Sequence, residues 1–224
     1  MITIYTFTWN EPETLQRFIN WYRRLIPDCN IIVYDNQSDD DTIEIAKNNN
    51  CEVFSFDTNN QMDEKTLIYL RNNVWKEART PFVLVVDSDE LVHIDEQKLR
   101  KLSNTNYTIF RCIGYEMINM FKGVQTDGYS KPVLFRADKI EEINFAPGSH
   151  NCDPKGTVIW NEYTIPLYHT KWIDWNYGIK RQEQLAKRRS KHSKDMGWNF
   201  HYELPIQDHR NYVENLIKNG KYIR

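Results

Sequence analysis

The chain has 224 residues, which predicts one domain with at most an appended segment. Its composition, 40% hydrophobic and 27% charged, excludes a wholly disordered, collagen-like or disulfide-scaffold protein, because such a chain can bury a sizeable core. The 29 Lys and Arg residues are balanced by 31 Asp and Glu residues, so no overall positive charge indicates a nucleic-acid partner.

The first ninety residues alternate between strand and helix patterns. Apolar stretches predict strands at residues 2–7, 31–34, 53–56 and 82–86. Helices are predicted between them, the first from Asn10, the second from a capping box of Ser38 and Asp41, and the third over residues 67–78. The uninterrupted apolar run at 82–86 is typical of a strand that is covered on both faces of a parallel sheet. The order predicts an α/β fold with an open, mostly parallel, Rossmann-like sheet flanked by helices.

The second half of the chain is less regular. It predicts strands at 107–113 and 132–135, and a hairpin formed by 157–160 and 164–168. A long polar helix is expected from Trp175 to about Lys194, followed by a shorter helix over 208–218. We therefore expect a single domain that ends in a C-terminal helical extension.

The cysteines and the apolar runs indicate the cellular setting. The four cysteines stand too far apart for a C-x-x-C pair, and four in a chain of this size do not make a disulfide framework, so we expect reduced core thiols. No apolar run approaches 18 residues, and no signal-peptide pattern opens the chain. We therefore expect a cytoplasmic protein without a transmembrane segment.

Two carboxylates follow the most hydrophobic predicted strand. Asp87 and Asp89 are alternate residues and therefore share a direction, and Asp35 and Asn36 end another strand. Ligands of open α/β sheets bind outside the carboxyl ends of the strands. Carboxylates suit Mg²⁺ or Mn²⁺, which can bridge the phosphates of a nucleotide. The pattern favours a metal and nucleotide site; the alternatives are a solvated acidic loop and, for Asp35 and Asn36, a turn with a helix cap instead of a contact with a nucleobase.

Three further side chains are candidates for the same site. Arg71, on the third helix, contacts a base or phosphate in one interpretation and forms a surface salt bridge in the other. His150, in a Pro-Gly turn, and His169, at the end of an apolar strand, are candidates for a neutral third metal ligand, although a single histidine is more often structural. Neither a G-x-G-x-x-G nor a P-loop sequence is present, so the phosphate cradles that those motifs build are excluded.

A basic stretch lies within residues 171–194. Such clusters can bind phosphate or anionic lipid. The more common use is a solvated helix face, and we interpret the stretch in that way. Its basic residues include Lys180, Arg181, Lys187, Arg188, Arg189 and Lys191.

Six segments in a fixed order carry a family resemblance. They are TFTWNE (6–11), VYDNQSDDDT (33–42), VVDSDE (85–90), SKP (130–132), EINFAPGSH (142–150) and LYH (167–169). The set resembles the successive signatures of family 2 glycosyltransferases with the GT-A fold. The likeness covers residues 1 to about 190 and is much more specific than the D-x-D sequence alone.

The resemblance implies transfer of a sugar from a nucleotide-sugar donor, usually a UDP-sugar, to a glycan or other acceptor hydroxyl with inversion. It implies a GT-A-like sheet with a nucleotide-binding half (1–90), an acceptor and metal half (91–170) and the helical extension (171–224). The residue matching Asp35 contacts the base in that family, and those matching Asp87 and Asp89 hold ribose and metal. We expect the donor to contact Thr8, Asn10, Glu11, Asp35, Asn36, Arg71, Asp87, Ser88 and Lys131. We expect Mn²⁺ or Mg²⁺ to be bound within the set Asp87, Asp89, His150 and His169, with His150 slightly preferred to His169.

One position departs from the family pattern. Relatives often carry an acidic residue directly after the histidine of the later loop, where this chain has Asn151. Asp153 and Asp127 are the alternatives for the base that inversion requires, unless both are ordinary turn residues. Two other functions stay open: a catalytically silent nucleotide- or carbohydrate-binding module, which Asn151 favours, and a sugar-phosphate nucleotidyltransferase, whose Gly-rich loop this chain lacks.

Overall fold

The computed structural model describes residues 1–162 and 164–223. Its strands, in chain order, are β1 (Ile2–Thr8), β2 (Asn30–Asp35), β3 (Glu52–Ser55), β4 (Phe82–Asp87), β5 (Glu90–Val92), β6 (Ile109–Met117), β7 (Lys122–Gln125), β8 (Lys131–Arg136), β9 (Ile140–Glu142), β10 (Lys155–Gly156), β11 (Ile165–His169) and β12 (Lys221–Tyr222). The α-helices of the described residues are α1 (Pro12–Leu25), α2 (Thr42–Asn48), α3 (Glu64–Asn73), α4 (Glu96–Ser103), α5 (Trp175–Arg188), α6 (Lys191–Asp195) and α7 (Ile206–Asn219).

One large sheet runs through the molecule. Strands β3, β2, β1 and β4 are parallel neighbours in that order, and β8, β6, β7 and β12 continue the sheet in antiparallel pairs. Strand β11 pairs parallel with β6 and antiparallel with β5, whereas β9 and β10 form a small separate pair. The predicted α/β fold, an open sheet flanked by helices with a C-terminal helical extension, is confirmed. The parallel part is the βα-repeat of the first ninety residues.

The core lies on both faces of this sheet. Alternate residues of β4 point to opposite faces, so Leu84 joins the cluster that contains Phe18 and Tyr22 of α1, while Val85 joins the cluster around Trp75. All of these side chains are buried. The prediction that the strand at 82–86 is covered on both faces is therefore confirmed.

The predicted hairpin of 157–160 with 164–168 is wrong. Ile165 pairs with Cys112 of β6, and Leu167 pairs both with Gly114 of β6 and with Val92 of β5. Strand β11 is therefore an interior strand of the sheet, and Ile165, Leu167 and Tyr168 are buried because both of its faces are covered, which explains the apolar pattern. Trp160 instead forms an isolated bridge with Ile109.

The predicted helix from Trp175 to Lys194 is two helices. Helix α5 ends at Arg188, and the backbone of Arg189 turns to an extended ψ of 123°. Ser190 then caps α6, because its hydroxyl accepts a hydrogen bond from Ser193 N at 3.1 Å. The predicted capping box of Ser38 is also wrong, since the Ser38 hydroxyl donates to Asp35 instead of capping α2.

The structure also bears on the expected state of the cysteines and on membrane-spanning segments. The four cysteines are free, and Cys29, Cys51 and Cys112 are buried, as predicted for core thiols, whereas Cys152 is only half-buried. Within residues 1–162 and 164–223, every helix is too short or too polar to cross a membrane.

Candidate active site

A cavity of about 460 Å³ lies where the carboxyl ends of β1, β2 and β4 meet. The C-terminal extension (171–224) forms part of its wall through α5 and the 3₁₀ turn Phe200–Glu203. The sheet register places Thr8 beside Asp35, and Phe7 beside Asp87. Most of the predicted binding residues line the cavity: Thr8, Glu11, Asn36, Arg71, Asp87, Ser88, Asp89, Lys131, His150 and His169.

Two predicted binding residues instead hold loops together. Asn10, with a φ of +49°, donates through Nδ2 to Asp39 Oδ1 at 2.5 Å and accepts through Oδ1 from Asp39 N at 3.0 Å. Asp35 is fully buried, and its carboxylate accepts hydrogen bonds from Ser38 N at 3.0 Å and Ser38 Oγ at 2.6 Å. Neither residue lines the cavity. They fix the loop after β1 against the loop after β2, and so hold the cavity floor in shape.

One end of the cavity is lined by polar side chains beside the loop after β3. Asn36 donates through Nδ2 to Thr58 Oγ1 at 2.8 Å and to Gln61 O at 3.1 Å, which fixes its amide beside the loop after β3. Thr8 Oγ1 is buried without a hydrogen-bond partner in the described structure. Phe7 and Leu67 supply apolar surface at the same end. A flat ring with a hydrogen-bonding edge suits such a pocket.

Asp87 lies between two cations at the end of β4. Its Oδ1 accepts from Arg71 Nη2 at 2.6 Å, and its Oδ2 lies 3.7 Å from Lys131 Nζ. Burial favours the neutral carboxyl, but Arg71 and Lys131 outweigh it and hold the pKa of Asp87 below its usual value. Lys131 also pairs with Glu90 at 2.5 Å, and Glu90 accepts a hydrogen bond from the Asp87 backbone N–H. Asp87 is therefore ionised and fixed, although its side chain stays partly exposed to the cavity.

Glu64 joins three separate elements of the site. Its Oε1 accepts from Arg71 Nη1 at 3.0 Å and from Gly148 N at 2.8 Å, and its Oε2 accepts from Asn199 Nδ2 at 3.0 Å. Gly148 has a φ of +70°, and a Cβ there would lie 2.8 Å from the ring of His150. Glycine is therefore required where the turn presents His150 to the cavity.

Asp89 contacts His169, which is itself held by a second carboxylate. His169 Nε2 lies 3.3 Å from Asp89 Oδ2, and its Nδ1 lies 2.6 Å from Oε1 of the fully buried Glu116. Tyr212 of α7 donates to Glu116 Oε2 at 3.0 Å, and the Tyr129 ring stacks on His169 with centroids 4.0 Å apart. Burial disfavours the imidazolium, but Glu116 and Asp89 outweigh it and raise the pKa of His169 to about 10. The same imidazolium lowers the pKa of Asp89 against the effect of its burial.

The pair Asp89–His169 fits a divalent cation better than the full predicted ligand set does. The described residues contain no group of three or more His, Cys, Asp or Glu side chains placed to hold a metal. Magnesium in nucleotide sites is commonly bound through one or two carboxylates together with substrate phosphates. A metal-binding histidine usually donates its other N–H to a carboxylate, and Glu116 is placed for that role. The pair therefore suits a cation whose coordination is completed by phosphates, and the structure favours His169, which the sequence ranked second.

Two arginines of α5 also reach the cavity. Arg181 Nη2 pairs with Glu11 Oε1 at 2.6 Å, and Ser88 Oγ donates to the other oxygen of Glu11 at 3.0 Å. The Arg188 guanidinium carbon lies 3.3 Å from the centroid of the Trp9 ring. Both arginines are buried, so the interpretation of the basic stretch as a solvated face is wrong for these two and for the buried Arg189. Lys180, Lys187 and Lys191 are exposed, as expected.

The two candidate bases lie outside the cavity lining. Asp153 is exposed beyond the bridge between Phe145 and Cys152, and its backbone N–H donates to Asn144 O. Asp127 is exposed in the 3₁₀ turn Asp127–Tyr129, whose other two residues do line the cavity. The structure thus keeps Asp127 beside the cavity and does not bring Asp153 to it.

Sequence reasoning missed several lining or supporting residues. Glu116 was missed because the predicted strand stopped at residue 113, although an acidic residue continuing a strand would have been a signal. Lys171, Tyr202 and Tyr212 line the cavity from the extension, and nothing local in the sequence indicates this. Glu64 stands at the start of α3, where an acidic residue is ordinary.

Comparison with known proteins identifies relatives. Residues 3–124, more than half of the chain, match the family described as Glycosyl transferase family 2. An uncharacterized glycosyltransferase of Rickettsia prowazekii (strain Madrid E) is 24% identical over 229 residues, which cover 98% of this chain and 69% of that protein.

Solved structures of low identity are similar over most of the chain. The S. aureus TarS crystal structure has 17% identity and a TM-score of 0.48, and the match covers 83% of this chain and 39% of that one. A shorter TarS structure in complex with UDP has 15% identity and a TM-score of 0.49, with 95% and 78% of the two chains covered. This chain thus spans well under half of the longer TarS chain.

Proposed function

Since this chain belongs to glycosyl transferase family 2, we propose that it transfers a sugar from a nucleotide-sugar donor, most simply a UDP-sugar, to a hydroxyl of a glycan or other acceptor. The observation that carries the proposal is the cavity at the strand ends, where a polar pocket at Asn36 leads to the ion-paired Asp87 and then to the pair Asp89–His169. This order matches the order of base, ribose and diphosphate in a nucleotide.

The proposed placement assigns a role to each part of the cavity. The base lies against Thr8, whose unpartnered hydroxyl offers a hydrogen bond, and against Asn36, whose Nδ2 is committed to Thr58 and Gln61 but whose Oδ1 can accept. The ribose lies at Asp87, which Arg71 and Lys131 keep ionised, so that it accepts hydrogen bonds from sugar hydroxyls. Rigid, buried ion pairs support this use because they fix the acceptor atoms before the ligand arrives.

Asp89 and His169 are the residues that we propose to hold Mn²⁺ or Mg²⁺. A divalent cation there would supply positive charge where the leaving diphosphate accumulates negative charge. Glu116 orients His169 through Nδ1 and leaves Nε2 directed at Asp89. Tyr212 fixes Glu116 in turn, so the C-terminal extension supports the arrangement.

We propose that the transfer inverts the anomeric centre and that Asp127 is the base that deprotonates the acceptor hydroxyl. Asp127 adjoins Gly128 and Tyr129, which line the cavity, whereas Asp153 lies behind the bridge between Phe145 and Cys152. Inversion needs a carboxylate on the side of the sugar opposite the diphosphate. A catalytically silent nucleotide-binding module is the second candidate, because neither aspartate lines the cavity.

Donor hydrolysis and thermal shift test the proposal together. A panel of UDP-, GDP- and CDP-sugars is added with Mn²⁺, with Mg²⁺ or with EDTA, and a ligand at 100 times its Kd should stabilise the protein by about 2.7 kcal/mol. We expect stabilisation by a UDP-sugar with a metal, and slow release of UDP. Stabilisation without UDP release, in the presence of candidate acceptors, would favour the silent module. No stabilisation by any nucleotide-sugar would refute the donor site.

A further inference from the structure

We propose that the cavity face of α5 is a phosphate-binding site, formed by Arg181 and Arg188 with Lys171 beside them. The chemical class of its ligand is a phosphoryl or diphosphoryl anion, either the diphosphate of the donor or a phosphate carried by the acceptor. The inference deepens the proposed function and rests on it for the identity of the donor.

The spacing of residues along α5 places these side chains on the helix face that lines the cavity. Arg181, Leu185 and Arg188 lie at i, i+4 and i+7 of α5, and all three line the cavity. Lys180 and Lys187 of the same helix are exposed. A basic helix that served only for solubility would expose its arginines as well, so the burial of one face indicates a specific use.

Both arginines carry hydrogen-bonding capacity that the protein leaves unused. Arg181 is 6% exposed and Arg188 is 8% exposed. Arg181 Nη1 and Arg188 Nη2 are buried atoms without a hydrogen-bond partner in the described structure. Buried polar groups are nearly always satisfied, so an unpartnered guanidinium N–H beside a cavity indicates a missing acceptor. Arg188 Nε donates to Asn60 O at 3.0 Å, and the guanidinium rests against Trp9, so the group is already oriented.

Charge balance also indicates an anion. Glu11 neutralises Arg181, but among the described residues no carboxylate lies within 4.0 Å of the charged atoms of Arg188 or Lys171. The Lys171 Nζ contacts the Gln182 side chain of α5, and Asp89 influences its charge from further away. Burial and the charge of Arg181 lower the pKa of Arg188 to about 10, which still leaves it a cation at neutral pH. Arginine suits this task because its planar fork matches phosphate oxygens.

The position of the site connects it to the proposed diphosphate position. Arg181 is linked through Glu11 to Ser88, the residue between Asp87 and Asp89. Lys171 follows His169 by two residues at the end of β11. Arg188 is held by Asn60 of the loop after β3, next to Gln61, which accepts from Asn36. An anion shared by the two arginines would therefore lie between the proposed metal position at Asp89 and the pocket at Asn36.

The test measures binding of inorganic pyrophosphate, UDP and uridine by calorimetry in EDTA, which separates the arginines from any metal. The variants are Arg188→Gln, Arg188→Lys and the matched control Lys187→Gln on the exposed face of the same helix. We expect Arg188→Gln to weaken pyrophosphate and UDP about 10- to 100-fold, because charge-assisted bonds to phosphate are lost. Uridine affinity should fall far less than UDP affinity, because uridine carries no phosphate, and urea unfolding checks that the variant is folded. Arg188→Lys should recover part of the loss and Lys187→Gln should match the wild type.

Competition distinguishes the two sources of phosphate. Displacement of pyrophosphate by UDP assigns the site to the donor, and undiminished pyrophosphate binding in saturating UDP assigns it to an acceptor phosphate. Wild-type pyrophosphate and UDP affinities in Arg188→Gln would overturn the site while leaving the donor proposal standing. Absence of pyrophosphate binding to the wild type would overturn it as well. Arginine-dependent pyrophosphate binding without any UDP binding, with or without Mn²⁺, would instead keep the site and refute the donor.

Discussion

Replacing Glu116 by Gln tests whether His169 is held for metal binding. Glu116→Gln keeps the size of the side chain and removes a fully buried charge that contacts His169 Nδ1 at 2.6 Å and Tyr212 Oη at 3.0 Å. Carboxylates behind metal-binding histidines typically contribute 10- to 100-fold to affinity. We therefore expect Mn²⁺ binding to UDP-saturated protein to weaken about 10- to 100-fold, which equals about 1.4 to 2.7 kcal/mol.

The sign of this effect depends on two opposing contributions. Glu116 raises the pKa of His169 to about 10, so in the metal-free protein a proton competes with the cation for Nε2. Removing Glu116 weakens that competition. However, a divalent cation carries twice the charge of a proton, so the carboxylate favours the cation at Nε2 over the proton. We expect the second contribution to prevail, and the loss to be larger at pH 9 than at pH 7, because proton competition falls as pH rises.

Calorimetric titration of Mn²⁺ into the UDP complex measures the change. Glu96→Gln, which alters an exposed carboxylate on α4, is the control and should bind Mn²⁺ like the wild type. Urea unfolding checks that the variant is folded, since removing one partner of a buried ion pair typically costs about 3 to 5 kcal/mol. Equal or tighter Mn²⁺ binding in a folded Glu116→Gln protein would refute the role of Glu116 as the support of a metal ligand.

Three further outcomes follow from the geometry. Asp127→Asn should lower turnover by about 10²- to 10⁴-fold with donor affinity nearly unchanged, while Asp153→Asn should retain wild-type turnover; the reverse pattern would move the base to Asp153. Gly148→Ala and Gly197→Ala should both lower the free energy of unfolding in urea by about 1–2 kcal/mol, because both glycines have a positive φ. Gly148→Ala should lower it further, because only there would a Cβ meet the His150 ring, and equal losses would contradict this. Burial raises the pKa of Cys152, the least buried thiol, to about 11, so alkylation at pH 8 should be slow in the native protein and fast in urea, and rapid native labelling would contradict it.

The sequence predicts the parallel part of the sheet well because its signals are local. Strand β4 is recognisable from five successive apolar residues, and α1 from apolar residues at three- and four-residue steps. Once the order of strands and helices is known, the right-handed crossover rule leaves few ways to arrange them. The strand ends, and with them Asp87 and Asp89, then meet at one edge without further information.

The partners of β11 could not be predicted in the same way. An apolar strand that follows another by a short loop reads as a hairpin, but Ile165–His169 pairs with β5 and β6, more than fifty residues earlier in the chain. Such pairings depend on which strands of the sheet still have an unpaired edge, and this is known only once the rest of the sheet is assembled. The same reason explains why His169 ranked below His150: only the pairing of His169 with Glu90 brings it beside Asp89.

Burial of the α5 arginines shows where sequence reasoning about charge fails. Arg181 and Arg188 have the same local context as the exposed Lys180 and Lys187, so composition alone cannot tell a solvated face from one that closes a cavity. What distinguishes them is tertiary: Arg188 O accepts from Met62 N, and Ser190 N donates to Met62 O, which docks the end of α5 on the loop before α3. The docking forces one face of α5 over the strand ends.

The site contains residues that the family match covers and residues of the C-terminal extension that it does not cover. The family match ends at residue 124, so it includes Asn36, Asp87 and Asp89 but neither His169 nor the α5 arginines. In the placement proposed above, the first group contacts the base, the ribose and the metal, which nucleotide-sugar donors have in common. The extension beyond the match lines the cavity as well, through Lys171, His201, Tyr202 and Tyr212 besides the α5 arginines. Differences in substrate between this chain and its relatives should therefore be sought in the extension, and exchange of the whole segment 171–224 between two relatives should change substrate choice more than exchange of the loop after β4.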